Sequence, residues 1–85
     1  MPDRSPRLGK HLIEVIQKQI DDDDPPDARE AYDRLVTAGH AEEEVYGMVA
    51  CAFTSVIFAS RRAERDFDVE LYAARLRALP QMPWE

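Results

Sequence analysis

The sequence predicts an all-α fold: a compact four-helix domain with an apolar central third helix. Three observations carry that expectation. Apolar residues recur three and four apart in four separate stretches, the spacing of a helix face. Aspartate, proline and glycine punctuate the gaps between the stretches. No stretch alternates apolar and polar residues as a half-buried strand would.

The first seven residues carry two prolines and mixed charge and are expected to fray. Helix one begins at Leu8, with Leu8, Leu12, Ile13, Ile16 and Ile20 on its stripe and Lys10, Glu14, Gln17 and Lys18 off it. It is expected to end near Ile20 or Asp21. The following run, QIDDDDPPDARE, sets four aspartates against two prolines. A residue before proline is pushed out of the α region, which applies to Asp24 and to Pro25. Pro26 is therefore the predicted first residue of helix two, where a missing N–H is no loss. Asp27 and Glu30 then suit the positive end of the helix dipole. Ala28, Ala31, Tyr32 and Leu35 form its inner stripe, and Gly39 stands where a left-handed C-terminal cap is expected.

Helix three is predicted to open with His40 and Ala41, followed by Glu42, Glu43 and Glu44. From Val45 to Ser60 there is no charged residue. Val45, Val49, Ala52 and Val56 share one side, while Gly47, Ala50, Cys51, Ile57 and Phe58 fill the rest. A helix apolar nearly all round is expected to be buried nearly all round. Arg61, Arg62 and Arg65 close it with the sign its C-terminus prefers. Asp68 is the predicted N-cap of helix four, with Phe67 and Tyr72 as a hydrophobic staple. Val69, Tyr72, Ala73, Leu76 and Leu79 continue inward until Pro80. Residues 8–79 thus read as one helical domain and residues 80–85 as an extended tail.

Composition narrows the functions open to such a chain. With 85 residues, a single small domain buries roughly 60% of its unfolded surface, so dimerisation would add useful stability. A net charge of −6 opposes non-specific binding to a phosphate backbone. Ala31, Gly39 and Val45 have a spacing suggestive of a helix-turn-helix. The second helix, however, offers Glu42, Glu43 and Glu44 where a DNA reader needs Arg, Asn, Gln or Lys. No nucleic acid is expected. The uncharged run in helix three is too short to span a bilayer and contains Thr54 and Ser55, so no membrane is expected either. The single cysteine, Cys51, permits no intramolecular disulfide and sits among apolar neighbours, as an inert buried thiol would. The first ten residues have no apolar core for a secretory signal, so a cytoplasmic setting is the default. Ser5 lies in the fraying start, Ser55 and Ser60 sit on the apolar helix, and neither histidine has an evident orienting partner, so the chain is read as no enzyme.

Two functional readings remain open. In the first, the domain works by protein–protein association, self-association included. Gly47, Cys51, Thr54 and Phe58 of helix three are the candidate surface, and Trp84 in the tail is a possible anchor. A homodimer is one natural outcome. In the second, it binds a divalent metal, otherwise no cofactor being expected. His11 and Glu14, one turn apart on helix one, would join Asp21 and Asp22 of the acidic run or Glu43 and Glu44 of helix three. The aspartate run itself fails as a calcium loop, because Pro26 and Tyr32 occupy its sixth and twelfth positions instead of Gly and Glu. It reads either as a solvated linker or as part of that metal site. Asp21 and Asp22 stand at the unfavourable, negative end of helix one.

The stretch QIDDDDPPDAREAYDRLVTAG, residues 19–39, resembles a family of small bacterial all-helical proteins of unknown function. The family pattern is glutamine, an aliphatic residue, an acidic turn ending in Pro-Pro, and an alanine-rich helix finishing in Arg-Leu. Gln19, Ile20, Asp23, Pro25, Pro26, Ala31, Tyr32, Arg34, Leu35 and Gly39 carry the resemblance. It covers about a quarter of the chain. Members often carry histidines beside a glutamate at the start of the third helix, where this chain has Glu43, Glu44, Tyr46 and Gly47. The resemblance implies a helical domain and brings no activity with it.

Overall fold

A computed structural model describes residues 6–82, with side chains described from residue 11 onward. It contains four helices: α1 (Pro6–Asp21), α2 (Pro26–Thr37), α3 (Glu42–Arg62) and α4 (Val69–Ala78). Among the described residues there is no strand.

The four apolar stripes meet in one core. Ile16 and Ile20 enter it from α1, and Ala28, Ala31 and Leu35 from α2. Val45, Val49, Ala52 and Val56 come from α3, and Tyr72, Leu76 and Leu79 from α4 and its end. The small Ala28 and Ala31 leave no side-chain bulk between α2 and its neighbours. Both α2 and α3 pack on every other helix, whereas α1 and α4 do not pack on each other. Those two are tied across the gap by the Tyr72 hydroxyl, which donates to Gln19 Oε1 at 2.8 Å. Burial raises the pKa of this phenol above the ordinary tyrosine range. Phe53, Phe67 and Tyr72 close the α3–α4 side as an aromatic triangle, with ring centroids 5.3–5.6 Å apart.

The three joints share one construction. After α2, Gly39 takes φ +107°, and the N–H groups of Gly39 and His40 donate to Val36 and Leu35 carbonyls at 3.0 and 3.1 Å. That is the Schellman pairing of a helix end. Asp23 (φ +55°) plays the same part after α1, with Asp23 and Asp24 donating to Ile20 and Gln19. Glu64 (φ +55°) plays it after α3, with Glu64 and Arg65 donating to Arg61 and Ser60. The acidic run is therefore a turn, and Asp is one of the few residues that visit the left-handed region readily.

Several expected boundaries shift. Pro6 and Arg7 belong to α1 rather than to a frayed start, since proline is tolerated in a first turn; residues 1–5 lie outside the description. α3 begins at Glu42 because Ala41 is still extended (φ −69°, ψ 149°). Glu44 Oε1 accepts from the Ala41 N–H at 3.3 Å. This is only half a capping box, since alanine has no side-chain oxygen to return the bond. α4 starts as expected, with Asp68 Oδ1 accepting from Leu71 N–H at 3.0 Å and Phe67 stapled on Tyr72. As far as residue 82 the chain past α4 turns instead of extending, since Gln81 N–H donates to the Ala78 carbonyl and Met82 packs on the core; residues 83–85 lie outside the description. Finally, α3 is not buried all round. Phe58 is 61% exposed, because three short helices cannot enclose a fourth of this length.

Candidate functional site

The metal candidates do not assemble. Among the described residues, no group of three or more His, Cys, Asp or Glu side chains could hold a metal ion. His11 and Glu14 lie exposed on α1. Asp22 is held by Lys18, at 3.1 Å, which supplies the opposite charge that the end of α1 wants. Asp21 is exposed. Glu44 is committed to the start of α3, where His40 Nδ1 also lies 3.5 Å away, and Glu43 stands exposed one residue before it. Tyr32 donates to Glu42 and stacks on Tyr46, ring centroids 5.8 Å apart. The carboxylate bond and its charge raise the pKa of this phenol above the ordinary range. Of these groups Tyr32 and Glu42 join α2 to the start of α3, and the bonds of Asp22 and Glu44 are local to one helix end.

Three of the five association candidates share one surface, as their spacing along a single helix dictates. Cys51, Thr54 and Phe58 line a shallow apolar concavity of about 400 Å³, with Ala50, Ser55 and Leu12 of α1. Cys51 is half-buried at its wall rather than fully buried. Gly47 lies one turn before Cys51, and a Cβ built on it meets nothing within 4 Å. Trp84 lies outside the described residues. The floor is fixed from the α4 side, where Arg75 Nη1 donates to Ser55 Oγ at 2.6 Å and Ser55 donates to the Ala52 carbonyl at 2.7 Å. Ser55 thus has its hydrogen bonds satisfied and no base beside it among the described residues.

The sequence marked Gly47, Cys51, Thr54 and Phe58 as small or apolar positions at helical spacing. It did not mark Leu12 as part of the same surface or Arg75 as its support through Ser55, since both arrive from other helices. Their signal was weak: Leu12 reads as an ordinary member of the α1 stripe, and Arg75 as a base near the end of α4. Among the described residues, no helix is long and apolar enough to cross a membrane. Comparison with protein-family models, curated proteins and solved structures finds no match.

Proposed function

We propose that this chain is a non-enzymatic helical domain that works by protein–protein association, its own copies included, through the open face of α3. The observation that carries the reading is Phe58. Every other described aromatic side chain is buried or half-buried, yet this ring stands in solvent at the edge of an apolar groove. Leaving a phenylalanine exposed forgoes about 1.5–3 kcal/mol of burial, which a docked partner would recover. The half-open, unpaired Cys51 suits a reducing compartment, which supports a cytoplasmic setting.

The test replaces Phe58 with the bulkier photoreactive analogue p-benzoylphenylalanine and irradiates it in cell extract. A protein adduct of defined mass is expected, suppressed by excess unlabelled wild type but not by excess Phe58→Asp. A smear, or an adduct that both competitors suppress equally, would sink the reading.

A further inference from the structure

Resting on that association face, we propose that its occupant is a second copy of this chain, with the two α3 helices antiparallel and Phe58 of each copy seated over Gly47 of the other. Opposite charges stand at the two ends of α3. Glu43 and Arg61 are eighteen residues apart, and so are Glu44 and Arg62. At about 3.6 residues per turn, that separation is five whole turns. Glu43 and Arg61 therefore lie on one line along the helix, and Glu44 and Arg62 on a second line about 100° away. Gly47, Cys51, Thr54 and Phe58 all fall between the two lines. The open face is thus an uncharged strip with a pair of acids at one end and a pair of bases at the other. Neither Glu43, Arg61 nor Arg62 has an ion-pair partner among the described residues.

Such a strip complements itself only when reversed. A two-fold axis crossing α3 at the height of Ala52–Phe53 sets Glu43 opposite Arg61 and Glu44 opposite Arg62, twice over. The same axis sets Phe58 opposite Gly47 and Cys51 opposite Thr54. One register therefore matches four charge pairs and places the single protruding ring over the position where a Cβ would meet nothing. A parallel pair would set acid on acid, base on base and ring on ring. Small residues along the strip also allow the close axis separation that a helix–helix seam needs. A two-fold interface uses the same patch on both copies, which this face satisfies by its own pattern.

The experiment is sedimentation equilibrium on the full-length chain and three variants. Wild type is expected to dimerise, less tightly as salt rises. The Glu43→Lys/Glu44→Lys chain and the Arg61→Glu/Arg62→Glu chain should each dimerise about tenfold or more weakly, because each sets like charges opposite one another. Mixed one to one, they should pair at near wild-type strength. Gly47→Met occupies the space over Gly47 that the ring of the other copy would take and should keep the fold, since methionine favours a helix over glycine, while losing the dimer. A wild type that stays monomeric at every concentration overturns the inference, and an adduct formed from Phe58 with some other protein would then leave the association reading standing. A wild-type dimer whose charge variants do not weaken alone and recover together overturns the antiparallel register. Loss of every adduct from position 58 instead removes the association reading itself.

Discussion

Arg34 shows how much of this fold rests on single side chains. It reaches from α2 to the end of α4, where Nη1 donates to the Leu79 carbonyl at 2.8 Å and Nη2 to the Leu76 carbonyl at 3.0 Å. The last carbonyls of a helix lack intrahelical donors and carry its negative end, so a planar, forked cation fits them better than a point charge. Glu30, 3.5 Å from Nε, steadies the guanidinium from one turn back on α2. Arg34→Ala is expected to lower stability by about 2–3 kcal/mol, because both bonds involve a charged donor. Arg34→Lys should recover less than half of that. Urea melts at neutral pH measure it, and an alanine variant as stable as wild type would refute the role. Gln19, Asp23, Arg34 and Gly39 all have architectural tasks here. Gln19 receives Tyr72, Arg34 caps α4, and Asp23 and Gly39 supply the left-handed joints.

At the level of elements, the joints separate what can be read locally from what cannot. Pro26, Gly39 and Asp68 announced helix boundaries in the sequence because a cap or a first-turn proline acts through its own few neighbours. Asp23 gave a weaker signal, since aspartate also suits an ordinary linker. Glu64 gave none, because a long side chain has no local preference for the left-handed region. Glu64→Gly removes that strain, partly offset by the greater freedom of glycine in the unfolded chain. It is expected to stabilise the domain by about 0.5–1 kcal/mol, raising the thermal midpoint by several degrees. An unchanged or lowered midpoint would mean that the joint is not strained. The exposure of α3 was illegible for a different reason. Periodicity says which residues are apolar, whereas coverage depends on how many neighbouring helices exist and how long they are. For the same reason the sequence marked the apolar positions of the open face but not Leu12, which reaches it only once α1 has docked.

For the whole molecule, the packing is uneven. α2 and α3 pack on every other helix, while the backbones of α1 and α4 approach both of these and not each other. Burial of the α2–α3 pair therefore depends on two flanking helices that attach by separate surfaces. The Tyr72–Gln19 bond is the one described side-chain link between those flanks, and a single neutral hydrogen bond contributes only about 1 kcal/mol. In the language of local unfolding, the first and last helices are two separately detachable units on a common middle. Native-state hydrogen exchange should accordingly show α1 and α4 opening with different free energies and different denaturant dependence, both below the opening of α2 and α3. If all four helices exchanged through one opening, the flanks would be coupled more tightly than their packing allows. Detachment of α1 takes with it Leu12, one wall of the α3 groove, and leaves Arg75 and Ser55 on the opposite side in place. The shape of the groove is thus adjustable from one side only, and its depth follows the docked fraction of α1.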